Sequence, residues 1–189
     1  MKKTFTAALC AAAAFLGSTA FGGPLAGNVT ISELFPNMAT VFNGGTDTLA
    51  VGASLSCPGA SPLCTAGYFN LPATFTTTVT TISLSEQCCV TYGAAAFNGY
   101  SFTNLTFLDG GSLGSVALSS SNMAGIVPGD VTFTANSIFI NLQGVAEGST
   151  PNAGVFTLTL TEAVTPEPGT FGLIGAALVG VTLLMRRRR

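Results

Sequence analysis

Carboxylates are the one class of side chain in the middle of this chain that could run acid–base chemistry. Of the eight Asp and Glu, seven lie between residues 23 and 163: Glu33, Asp47, Glu86, Asp109, Asp130, Glu147 and Glu162. Two carboxylates at a suitable separation hydrolyse glycosides, one as acid and the other as base or nucleophile. Several gathered on turns would hold calcium, and Asp47, Asp109 and Asp130 stand near glycine-rich turns. Their spacing pairs none of them, so solubility and turn formation are their expected roles. Other chemistries lack a partner. The chain has no His, and its six basic residues sit at the ends, as Lys2, Lys3, Arg186, Arg187, Arg188 and Arg189. A serine or cysteine nucleophile in the middle has no base, and no Arg or Lys is there to hold an oxyanion. The chain is therefore expected to be no enzyme, with no catalytic residues, no metal and no cofactor.

Four cysteines remain beyond the first ten residues: Cys57, Cys64, Cys88 and Cys89. In an exported chain they form two disulfides, with three pairings open. Cys57 with Cys64 would close a turn-rich loop locally. The crossed arrangements, each of the first two to one of the last two, are favoured, because neighbouring strand residues face opposite sides. Tyr68, Phe69, Tyr92 and Tyr100 are the aromatics that would contact a sugar. Two threonine rows, Thr76-Thr78-Thr80 and Thr157-Thr159-Thr161, suit an ice-binding face, although outward strand faces carry such residues anyway. Asn28-Val29-Thr30 and Asn104-Leu105-Thr106 fit the glycosylation sequon.

The elements that must position these residues are strands. Apolar residues alternate with polar ones at Leu49–Leu55, at Phe156, Leu158 and Leu160, and at Ile138, Ile140 and Leu142, which marks strands with one buried face. Val29–Leu34, Phe75–Leu84, Cys89–Tyr92, Tyr100–Leu108, Ser115–Ser119 and Val131–Thr134 are further strands. Parity switches between Val79 and Ile82, which predicts a bulge or bend. Turns are expected at Asn43-Gly44-Gly45, Asn98-Gly99, Asp109-Gly110-Gly111 and Pro128-Gly129-Asp130. A helical period is faint and confined to Ala94–Phe97. The expected fold class is all-β, an antiparallel β-sandwich with the jelly roll as one variant, over about 140 residues. Charged residues are 7% of the chain, far below the roughly 25% usual for soluble domains. Nucleic acid binding is excluded, since phosphate affinity rests on Lys and Arg.

Both ends read as addresses. Residues 1–22 form a secretory signal peptide: Lys2 and Lys3, then the apolar Ala7–Leu16, then small residues at −3 and −1. Cleavage is expected after Ala20, with Gly22 as second choice. At the other end Phe171–Met185 is apolar or small and would span about 22 Å as a helix. The transmembrane helix is placed at 169–185, with Arg186–Arg189 held on the cytoplasmic side by the positive-inside rule. Upstream, Pro166-Glu167-Pro168 stays extended, because neither proline continues a helix or donates to a sheet.

This order of motif, apolar span and basic end, beginning at Val164-Thr165-Pro166-Glu167-Pro168-Gly169-Thr170, resembles the PEP-CTERM sorting signal of Gram-negative bacteria. The same tail is also labelled the ice-binding protein C-terminal motif. The resemblance covers residues 164–189. It implies recognition by an exosortase, a membrane cysteine protease or transpeptidase, with Pro166, Glu167 and Pro168 as the processing motif. It also implies passage through the secretion machinery and signal peptidase, transient anchoring in the inner membrane with the body in the periplasm, and final placement at the surface or in the extracellular matrix. The domain organisation expected is signal peptide 1–22, β-sandwich 23–163 and sorting segment 164–189. Its function is that of an exported, non-enzymatic envelope or matrix protein. The alternatives are a binding module for polysaccharide, calcium or ice, and a carboxylate hydrolase.

Overall fold

The computed structural model describes residues 23–66, 72–86, 91–146 and 154–163. The signal helix, the transmembrane span, Ala20, Pro166-Glu167-Pro168, Arg186–Arg189, Cys88, Cys89, Tyr68, Phe69 and Glu147 lie outside them. All described residues belong to one of the chain's two units, 22–163. Among them no helix is long and apolar enough to cross a membrane.

Period-two patterning produces antiparallel strands, as expected. In chain order they are β1 (Leu25–Ala26), β2 (Asn28–Leu34), β3 (Val41–Ala50), β4 (Ser54–Cys57), β5 (Ala73–Thr77), β6 (Thr81–Glu86), β7 (Gly99–Thr103), β8 (Thr106–Phe107), β9 (Leu113–Ser121), β10 (Val131–Phe133), β11 (Ile138–Asn141) and β12 (Gly154–Glu162). A short helix, α1 (Pro62–Ala66), follows β4. One five-stranded sheet has the order β10-β11-β7-β2-β3, and a second has the order β4-β5-β6-β12-β9. The small pair β1-β8 stands beside them. The three-strand run β4-β5-β6 stays within one sheet, which departs from the double Greek key of a jelly roll.

One apolar core joins the two large sheets. Phe102 on β7 meets Phe156 on β12 edge to face, ring centres 6.5 Å apart. Tyr100 on β7 meets Phe75 on β5 in the same way at 5.3 Å. Such edge-to-face contacts add to the burial of each ring. Val29, Ile31, Ile82, Leu84, Ile138, Ile140, Phe156 and Leu158 are fully buried between the sheets. With no cation among residues 23–163, burial and backbone hydrogen bonding hold this body together.

Several strand boundaries differ from the sequence reading; the expected strand Tyr100–Leu108, for one, breaks at Asn104 (φ 60°) into β7 and β8, which join different sheets. The alternation over Leu49–Leu55 is two strands, since Ala53 N–H bonds back to Ala50 at 3.0 Å and the chain turns at Val51-Gly52. The Thr77 hydroxyl seals that turn by donating to the Ala50 carbonyl at 2.9 Å. The parity switch between Val79 and Ile82 is a complete hairpin turn: the Thr78 hydroxyl accepts from Thr80 N–H at 3.2 Å and Thr81 N–H at 2.9 Å. Conversely, Asn43-Gly44-Gly45 makes no hairpin. It passes inside β3 as an irregularity where the register with β2 slips, with Asn43 at φ 47° and Gly44 at φ 77°. Such left-handed backbone is cheap for Gly and tolerated by Asn. Ala94–Phe97 is not helical.

Candidate functional site

Extending the apolar alternation of three strands by one step reaches a glutamate each time. Val29 and Ile31 lead to Glu33 on β2, Ile82 and Leu84 to Glu86 on β6, and Leu158 and Leu160 to Glu162 on β12. All three face inward at strand ends and are buried, at 7%, 4% and 6% exposure. The sequence points to solubility and turn formation for all seven acids, and for these three burial overturns that expectation. The parity that marks the core carries the signal for their burial. Gly154, the first residue of β12, pairs with Glu86, whereas Glu162 closes that strand. Two acidic sites therefore lie at opposite ends of β12.

At the first site Glu86 accepts hydrogen bonds from Tyr92 at 2.8 Å and Tyr100 at 3.0 Å. The two tyrosine hydroxyls are 3.3 Å apart. Burial, then the Glu86 charge, pushes the Tyr100 hydroxyl well above its ordinary range. Glu33 pairs with Tyr100 in the β2–β7 register. Its Oε2 is buried without a hydrogen-bond partner, and burial raises its pKa to about 7. Tyr92 and Tyr100 are 5% and 2% exposed, so they present no platform to a sugar. Their rings complete the core and their hydroxyls hold a carboxylate inside it.

At the second site Asp109, in the turn after β8, meets Glu162 at the end of β12. Asp109 accepts from the Gly23 N–H at 3.2 Å and the Gly111 N–H at 3.1 Å. Hydrogen bonding with Glu162, then with the Gly111 amide, lowers the Asp109 pKa, whereas burial and then the bond to Asp109 raise that of Glu162. Two carboxylates in contact disfavour double ionisation, so Asp109 is driven toward the charged form and Glu162 toward the protonated one. A side chain at residue 23 would meet Asp109 Cγ at 2.9 Å, and one at residue 111 would collide with the Glu162 carboxylate. Glycine at both positions is what lets the amides approach. Carboxyl groups in direct contact are closer than the roughly 5 Å or more used in glycoside hydrolysis.

Asp47 caps its neighbour's amide, Thr48, at 2.7 Å, and Asp130 accepts from Val127 N–H at 2.8 Å. Among the described residues no three of His, Cys, Asp or Glu gather as a metal site.

Cys57 and Cys64 form a disulfide, Cα atoms 5.2 Å apart, so the favoured crossed arrangement is overturned. The cause is local. Ser61 caps α1 by accepting from Cys64 N–H at 3.2 Å, with Pro62 at the first helical position, a strong helix start. That turn swings Cys64 back onto the end of β4. The Ser61-Pro62 start signal was present in the sequence.

On the second sheet, Ser54, Thr76, Ser83, Thr157 and Ser120 align in register across β4, β5, β6, β12 and β9. All five are exposed or half-buried. Thr157, Thr159 and Thr161 are outward as expected. Thr78 and Thr80 lie in the hairpin turn, so the row Thr76-Thr78-Thr80 does not exist. The side-chain amide of Asn104 donates to the Thr30 hydroxyl at 2.8 Å.

Residues 164–189 match the family model of the PEP-CTERM protein-sorting motif. No curated protein and no solved structure matches the chain.

Proposed function

We propose that this chain is an exported, non-enzymatic protein of the cell envelope or extracellular matrix, delivered by its C-terminal sorting segment. The observation that carries the proposal is the match at residues 164–189, where Pro166-Glu167-Pro168 precedes an apolar run and four arginines. Signal peptidase removes the first segment. The C-terminal span then holds the body in the periplasm, and an exosortase-type membrane protease cuts near Pro166-Glu167-Pro168. The body's own residues support a passive role. Glu86 is held by two tyrosines, Glu33 is sealed in the core, and Asp109 and Glu162 bond each other. None of these carboxylates is set up as a glycosidase pair.

A second reading, as a binding module for extracellular polysaccharide, is favoured by the Ser/Thr rank across five strands. Hydroxyls on an uncharged sheet face can exchange hydrogen bonds with sugar hydroxyls without a charge to desolvate.

The test of the first reading uses the native host. Replacing Pro166, Glu167 and Pro168 with alanine is expected to leave a membrane-bound precursor and no released product. Release of a product of unchanged size would overturn it. For the second, Thr157→Lys is expected to abolish co-sedimentation with the host's polysaccharide, and retained co-sedimentation would remove that reading.

A further inference from the structure

We propose that export cuts the chain between Gly22 and Gly23, and that the new Gly23 α-ammonium docks between the Asp109 and Glu162 carboxylates. This rests on the export reading above. It goes further by choosing the cleavage site and giving the terminus a structural task.

The argument begins with charge. Residues 23–163 contain no Lys, Arg or His, so no side chain of the body can balance a buried carboxylate. Glu162 is nevertheless 6% exposed, and its Oε2 is buried without a hydrogen-bond partner. The carboxyl group as a whole bonds Asp109, but that one buried oxygen is left without a donor, which is costly. Two main-chain nitrogens reach the site, Gly111 N at 3.1 Å from Asp109 Oδ1 and Gly23 N at 3.2 Å from Asp109 Oδ2, and of these only Gly23 can become a chain terminus. In the precursor that nitrogen is an amide with one N–H. Hydrolysis adds water across the Gly22–Gly23 bond, giving a carboxylate on Gly22 and an ammonium on Gly23. The ammonium carries three donors and a full positive charge, which offsets the repulsion between the two carboxylates.

The position of the nitrogen is set by the fold. The Pro24 carbonyl accepts from Leu108 N–H at 3.0 Å, and Leu25 N–H donates to Val79 at 2.8 Å. Leu25 itself is 2% exposed in the core. Cleavage after Ala20 would leave Phe21 and Gly22 in front and carry the charge up to about 7 Å further along the chain. Ala20 and Gly22 are small residues at −3 and −1 of the Gly22 cut, which satisfies the cleavage pattern equally. A side chain at residue 23 would push the Asp109 carboxylate away, so glycine there favours the contact. A metal ion fits less well, because the Gly23 and Gly111 amide hydrogens point into the pair.

The experiment exploits a property of the mature chain. Lys2 and Lys3 leave with the signal segment, so the α-amine is its sole primary amine. Intact mass and N-terminal sequencing of the exported protein are expected to show Gly23 first. An exported chain beginning at Phe21 or at Met1 would overturn the inference alone, whereas a full-length chain found only in the cytosol would overturn the export reading beneath it. Acetylating the sole amine is expected to lower Tm by several degrees in the wild-type protein, and by clearly less in Glu162→Gln. An unchanged wild-type Tm, or an equal fall in both proteins, overturns the docking. Should Glu162→Gln fail to fold, the acetylation rate decides: native protein is expected to react at least tenfold more slowly than urea-unfolded protein, and equal rates overturn the proposal. Stabilisation by calcium that vanishes in Glu162→Gln or Asp109→Asn would assign the site to a cation from solution and also overturn it.

Discussion

The hydroxyl of Tyr100 on one sheet donates to the carboxylate of Glu86 on the other, 3.0 Å away, deep between them. Apolar contacts between sheets tolerate some sliding, but a directed bond to a buried carboxylate does not. Tyr100 therefore fixes how β7 sits over β6 at this end of the core.

Tyr100→Phe keeps the ring and its contact with Phe75 and removes only the donor. The expected loss is about 1–3 kcal/mol, the usual cost of depriving a buried acceptor. Urea titration measures it, and a double-mutant cycle with Glu86→Gln should show strong coupling. Additive effects would mean the bond is not formed.

Glu33 should make stability fall as pH rises. Its folded-state pKa is about 7 against an ordinary 4.5 because burial disfavours the charge. Below pH 4.5 both states are protonated and there is no penalty. Above it the unfolded chain releases the proton first, so the native state binds more protons and stability drops until about pH 7. Glu33→Gln should flatten this slope and gain on the order of 2 kcal/mol at pH 8. Equal slopes for both proteins would contradict the burial argument.

Removal of the local bridge is the third prediction. Cys57→Ser with Cys64→Ser should cost about 2–3 kcal/mol for so short a loop, read as a lower urea midpoint. Peptide mapping of the oxidised protein should recover Cys57 joined to Cys64, and any link from either to Cys88 or Cys89 would refute the assignment.

The terminal arginines should control retention. Under the proposed topology, exchanging Arg186, Arg187, Arg188 and Arg189 for serine would remove the basic end that the positive-inside rule places on the cytoplasmic side. Fractionation should then find the chain, unprocessed, outside the membrane. Normal retention and processing would show that the apolar stretch suffices alone.

Much of the fold was readable because strand alternation is a local property. The inward residues of β2, β6, β11 and β12 follow from the pleat, which sends every second side chain to the same side. Turn positions were less legible. Thr78 and Val51-Gly52 reverse the chain by hydrogen bonds that composition does not reveal, and Asn43-Gly44-Gly45 looks like a hairpin turn yet runs within β3. The disulfide was misjudged because Ser61-Pro62 was read as loop punctuation and not as a helix start.

Charge placement, the basic and apolar ends and the two-residue period are properties of neighbouring residues, and the chain alone determined them. Which acids meet was decided by tertiary structure. Asp109 and Glu162 belong to distant segments, and they touch because β12 lies beside β9 and the turn after β8 returns to its end. The same holds for Glu86 and Tyr100, which face each other across two sheets. Backbone sterics set the alternation within each strand, whereas sheet order and register, which bring such pairs together, arise from contacts far apart in the chain.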